Sequence, residues 1–294
     1  MSVLADDGLP SARDALWQDR VIIWKDSATW QSTLTAWLQP VFRKDALKRL
    51  KPGVFRDVCW DDTDWLDVLD RSLKQLVGGV TDDLADALRL GVIRTYHGCR
   101  TEDAGSYFRD GLLVHRNEAL KVRARAIVDA HPELEYMKDT LEQRMAEKDT
   151  AHDEGRAYVV VSDESLLKFG GHYMIQGSEW IMSLFDGYGQ RFLRAAGAPT
   201  LIEIDLPFSR TLDGDRRAFA KGMLMEWTRL TCNGEEWIAP IDISFLLFED
   251  LPASCIVGHT HPATVRDPHN LERVYRSPLT TCRHCAPQGT GTGA

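Results

Sequence analysis

The chain has 294 residues, of which 44% are hydrophobic and 27% charged, with a formal net charge of −9. That is ample material for a core in one or two domains, and the acidic balance excludes a broad basic surface for holding duplex nucleic acid. No apolar run is long enough to span a bilayer, and the first residues, MSVLADDGLPSARD, are acidic where a secretory signal is basic and then apolar, so a cytoplasmic protein with no membrane partner is expected.

Residues 1–90 read as a helical amino-terminal segment. SATWQSTLTAWLQPVF and DTDWLDVLDRSLKQLV place tryptophans and aliphatics three and four apart, with Ser27 and Asp61 or Asp62 as N-caps. Trp17, Trp24, Trp30, Trp37 and Trp60 all fall here, and are expected to anchor a core or an interface. The segment shows no pattern of catalytic residues.

The texture changes at Gly91. VIRTY is a short β-branched and aromatic run ending at His97-Gly98, and TEDAGSYFRDGL follows as a helix stopped at Gly111, which makes a strand-turn-helix unit. Asn117 to Glu154 is highly charged and predicts one or two solvated helices, broken near Pro132, inserted between core strands. YVVV then predicts a buried strand, SDESLLKF a capped helix, HYMI a second strand and SEWIMSLF a second capped helix. PTLIEIDLP predicts a strand, DRRAFAKGMLMEWTRL a helix, and NGEEWIAPIDISFLLFEDL and SCIVGH closing strands. The organisation is therefore a helical segment (1–90), an α+β catalytic domain (91–265) and a polar, partly disordered tail (266–294).

Three pieces carry polar residues beyond what structure alone requires. In Tyr96-His97-Gly98, a histidine with one ring nitrogen held by the backbone can hydrogen-bond a ribose hydroxyl with the other, and glycine lets a flat ring or amide approach the main chain. In Gly171-His172-Tyr173-Met174-Ile175-Gln176-Gly177-Ser178-Glu179, the tyrosine can stack on a nicotinamide ring, while Ser178 and the helix start can hold a carboxamide or phosphate. In Gly234-Glu235-Glu236-Trp237-Ile238, a fixed carboxylate can stabilise the positive charge that builds on a ribose as its glycosidic bond breaks. Each piece also has a plainer reading: a structural histidine with a turn glycine, a core tyrosine with a capping serine, and a solvated acidic turn.

In this order the pieces resemble the ADP-ribosyltransferase superfamily, in the branch with a histidine, a tyrosine and a glutamate to which diphtheria-type toxins and poly(ADP-ribose) polymerases belong. The resemblance covers about Ile93 to His259. It implies an α+β fold of split β-sandwich type with an NAD cleft. NAD would serve as co-substrate, with Glu236 catalytic and His97, Gly98, Tyr173 and Ser178 binding it. The activity implied is transfer of ADP-ribose to a macromolecular acceptor (RNA, DNA or protein) with release of nicotinamide. HYMIQGSEWI resembles bacterial toxin-like members, which implies toxin or phage-defence action and an inhibitory antitoxin partner. Tyr158 competes with Tyr173 and Glu235 with Glu236. A second stacking aromatic is not distinct, since Leu184, Phe185 and Tyr188 are all only near its expected place. Gly234 stands where arginine-directed transferases carry a further carboxylate, which disfavours arginine as acceptor. An NAD glycohydrolase and a non-catalytic binding module are the alternatives.

The six cysteines, Cys59, Cys99, Cys232, Cys255, Cys282 and Cys285, are too spread for a disulfide framework and are read as reduced thiols. His259-Thr260-His261 and Cys282-Arg283-His284-Cys285 have the residue types of a tetrahedral zinc site. The two pairs lie far apart, and a single CxxC is often incidental, so no metal site is assigned from sequence. GTGTGA at the end reads as disordered.

Overall fold

The computed structural model describes residues 10–52, 58–59, 63–148, 154–234 and 243–285. In chain order, β1 (Val21–Ile22) is followed by α1 (Gln31–Leu38), α2 (Ala46–Arg49), α3 (Asp64–Ser72), α4 (Val77–Ala87) and β2 (Val92–Thr101). Then come α5 (Gly105–Asp110), α6 (Asn117–Ala130), α7 (Lys138–Lys148), β3 (Ala157–Val160), α8 (Asp163–Lys168), α9 (His172–Gln176), α10 (Glu179–Leu184) and α11 (Gln190–Leu193). The chain ends with β4 (Ala198–Pro207), α12 (Asp213–Asn233), β5 (Ser244–Leu247), β6 (Ile256–Thr260), β7 (Thr264–Asp267) and β8 (Arg273–Arg276). The class is α+β, and the sheets are open among the described residues.

The chain folds into two compact units, Met1–Arg94 with Asp205–Phe245, and Thr95–Ile204 with Leu246–Ala294. The segment 91–265, expected as one domain, is thus shared between the units, and the helical segment 1–90 shares its unit with α12. The reason is α12, whose apolar side chains complete the amino-terminal core. Trp24 stacks on Trp30 at 5.4 Å and meets Phe219 edge-on, while Phe42 stacks on Trp227. Trp17, Trp30 and Trp37 are fully buried and Trp24 nearly so, as core anchors should be; Trp60 lies outside the described residues. Asp26, rather than Ser27, caps the turn before α1, accepting from the Ala28 N–H, and Asp61 and Asp62 lie outside the described residues.

The sheet order is β5-β3-β2-β4-β6, with β2 central, and β7 pairs with β8 in a hairpin. β4 and β6 are antiparallel, with Ile202 opposite His259. Leu166, Met174, Ile175, Leu201 and Val265 form one apolar cluster, with Tyr96, Val160, Tyr173 and Tyr275 packed against it. A second cluster joins Ala124, Val128, Leu134, Met137, Leu141 and Met145 to Trp180, Ile181, Leu184, Phe185 and Leu193. The charged stretch after Asn117 is therefore two helices with one solvated face and one face packed on α10 and α11.

Three expectations about local structure are corrected. His97-Gly98 is inside β2, not at its end, because the strand continues through the buried Cys99 and Arg100. HYMI forms α9, not a strand. A helical turn sends both Met174 and Ile175 into the apolar cluster, where alternation along a strand would send only one. The segment expected as a polar tail supplies the second strand of the hairpin and a buried Cys282; residues 286–294 lie outside the described residues.

Candidate functional site

β2 carries the first candidate pair between β3 and β4, with Tyr96 opposite Val160. Nδ1 of His97 lies 3.0 Å from the Tyr158 carbonyl oxygen. A carbonyl only accepts, so this partner assigns the proton to Nδ1 and leaves Nε2 as a bare lone pair. Burial holds the His97 imidazole below its ordinary pKa, against a smaller upward pull from the Tyr158 carbonyl. The ring is neutral at pH 7, with Nε2 as a fixed acceptor. Tyr107 lies beside it, ring centroids 6.3 Å apart. Burial raises the Tyr107 phenol well above its usual pKa and pushes the Cys99 thiol up to about 12, so Cys99 is no nucleophile.

Successive residues of a strand face opposite sides, which puts Gly98 on the face away from His97. A Cβ at Gly98 would meet Leu166 Cδ2 at 3.3 Å and Met174 Cγ at 3.4 Å. The absent side chain makes room for α8 and α9, so a ligand could reach Gly98 only through its main chain. Tyr173, half-buried on α9, packs against the same Leu166 and Met174. Gly98 and Tyr173 therefore converge on one cluster.

The Tyr173 hydroxyl lies 3.1 Å from Glu179 Oε2 and donates to it, and its ring sits 4.0 Å from that of His172. Ser178 is the N-cap of α10, and its Oγ accepts from the Ile181 N–H. Capping accounts for the serine oxygen, although the cap does not use the hydroxyl hydrogen. Tyr158, the rival to Tyr173, is half-exposed at the start of β3. Leu184 and Phe185 are buried in the helical cluster, and Tyr188 contacts Tyr136 and Phe192. Glu235 and Glu236 lie outside the described residues.

Sequence patterns gave no indication of Arg100, two residues beyond Gly98. Its buried guanidinium donates to the carbonyls of Ala196, Arg194 and Met174, tying β2 to α9 and to the segment before β4. An arginine at one position in a strand has no periodic signature, so only the fold identifies its partners. His259, His261, Cys282 and Cys285 also come together in this unit, with ligand atoms all within 4.8 Å of one another.

No family model matches the chain, and no curated protein matches it. Among solved structures it is similar to EcPltA at 15% identity, over 66% of this chain and 87% of that one, with a TM-score of 0.28. That similarity is too low to support a conclusion about fold or activity.

Proposed function

We propose that the protein transfers ADP-ribose from NAD to a macromolecular acceptor and releases nicotinamide. The observation that carries the reading is His97: its Nδ1 is fixed on the Tyr158 carbonyl and its ring kept neutral by burial, so Nε2 can accept from a ribose hydroxyl without reorganising. Tyr173, its phenol anchored on Glu179, lies on the Gly98 face of β2, opposite His97, so the resemblance alone assigns it the stacking role. Gly98 contributes main-chain polar groups, and Ser178 holds the start of α10. Glu236 stabilises the oxocarbenium-like ribose as the nicotinamide-ribose bond breaks. The electron pair leaves with nicotinamide, and an acceptor nucleophile forms the new bond to the ribose carbon as it loses its proton. The resemblance to toxin-like members extends the reading to a protein that harms its own cell unless an inhibitory partner restrains it.

The test is nicotinamide release from labelled NAD, with and without cell extract, for the wild type and Glu236→Gln. The variant is expected to lose about 10²–10³-fold in rate while folding normally, and the label should move onto a nuclease- or protease-sensitive fraction. A fully active variant would remove Glu236 from the chemistry. Release without extract would favour hydrolysis of NAD, and no release under any condition a binding module.

A further inference from the structure

We propose that His259, His261, Cys282 and Cys285 form a structural zinc site. The H-x-H pair ends β6, and the C-x-x-C follows the β7–β8 hairpin, so the topology brings together residues that the sequence keeps apart. Cys282 Sγ lies 3.9 Å from Cys285 Sγ, and Cys285 Sγ lies 3.5 Å from His261 Nε2 and 2.9 Å from His259 Nε2. Tetrahedral zinc with Zn–S near 2.3 Å and Zn–N near 2.0 Å separates its ligand atoms by about 3.3–3.8 Å. These three separations bracket that spacing, and all four ligand atoms lie within 4.8 Å of one another.

The surroundings set the donor atoms in the form a metal needs. His261 Nδ1 lies 3.0 Å from the Pro199 carbonyl oxygen and 3.0 Å from Thr200 Oγ1, whose own hydrogen goes to the Ala198 carbonyl. Nδ1 therefore carries the proton, and Nε2, the atom facing Cys285, is the bare ligand nitrogen. Cys282 is buried, and its Sγ accepts from the Ala104 N–H at 3.4 Å. Four protein ligands leave no open position, which fits a structural rather than a catalytic ion.

The site fastens the chain around residues 282–285 to the start of α5. The Arg283 N–H donates to the Glu102 carbonyl at 2.8 Å, and Phe108 stacks on His284 and meets His259 edge-on. Tyr107, which lies beside His97, belongs to the same turn. The zinc assignment does not depend on the NAD reading.

Metal analysis of the full chain after exhaustive dialysis is expected to give one zinc per molecule. Cys282→Ser/Cys285→Ser and His261→Ala should bring the content close to zero, while His284→Ala, next to the site but outside the ligand set, should keep it. A ligand variant could lose zinc merely by failing to fold, so the wild type, stripped by a chelator under reducing conditions, is titrated with Co²⁺. The expected result is the strong visible absorption of tetrahedral, thiolate-bound cobalt, bleached by zinc. Zinc far below one per chain, a weak octahedral cobalt spectrum, or a Cys282–Cys285 disulfide in the freshly purified protein would overturn the proposal.

Discussion

Each unit holds a buried arginine on three carbonyls, but the two differ in what surrounds it. In the first, aromatic side chains fill the core, with Trp17, Trp30 and Trp37 fully buried and Phe208, Phe219 and Phe245 packed ring against ring, while the buried Arg216 donates to the carbonyls of Ala85, Phe208 and Thr211. In the second, polar groups with fixed partners do much of the positioning, with Arg100 on three carbonyls, His97 on Tyr158 and His261 on Pro199. Apolar burial is not directional and tolerates approximate geometry, whereas a buried polar group is costly unless its partner is in place. The aromatic core of the first unit should therefore respond to lost volume, and the polar anchors of either unit to lost geometry.

The largest effect on stability is expected from Trp30→Ala. Emptying a fully buried site stacked on Trp24 should cost about 3–5 kcal/mol in urea unfolding. A loss below about 1 kcal/mol would show a cluster able to collapse around the gap. Next comes Gly171→Ala, whose Cβ would fall 1.8 Å from the Arg266 carbonyl oxygen. Relief requires α9 to move off β7, at about 1–3 kcal/mol, and Tyr173 would move with it. Nicotinamide release should fall in parallel, whereas Gly187→Ala, with nothing within 4 Å, should change neither. Ser178→Ala should cost about 1 kcal/mol through the lost cap and leave KM for NAD unchanged. A clear rise in KM would add a ligand contact to the cap.

The smallest effect concerns pH. His97 has a folded pKa below its unfolded value of about 6.5. Its contribution to stability is therefore complete above about pH 6.5 and declines as the pH falls from there to the folded pKa, because the unfolded ring takes up its proton first. KM for NAD should stay flat through the ordinary histidine range and rise only at lower pH, once Nε2 is protonated. His97→Asn should abolish that rise. A rise centred on the ordinary value would mean a solvated ring.

How legible the fold was in the sequence follows the same division. The spacing of Trp30, Leu34 and Trp37 marks a helix face directly, and α12 and β4 were equally readable. α9 was missed because a short apolar run such as HYMI suits a strand or a turn of helix equally well, and the choice is made by Leu166 and Val265 packed around it. Gly98 is ambiguous for a related reason: a glycine signals close approach, but not whether ligand or protein approaches, and on its side-chain face Leu166 and Met174 do. For His97, the expectation of a backbone-held ring nitrogen agrees with the structure, but nothing local named Tyr158, 61 residues away, as its partner. The H-x-H and C-x-x-C pairs were visible as motifs. Their convergence was not, since it depends on a hairpin hidden in a segment that read as tail.

The division of the first unit into two stretches of sequence also bears on how the protein is made. The Trp227 indole N–H donates to Thr35, 192 residues earlier. At ribosomal speeds of about 5–20 residues per second, the amino-terminal helices wait roughly 10–40 s for the partner that covers them. During that interval several tryptophans lack their final neighbours, and the closure that follows is of high contact order and slow. A cell making this protein must keep its aromatic amino-terminal segment from aggregating until α12 has left the ribosome.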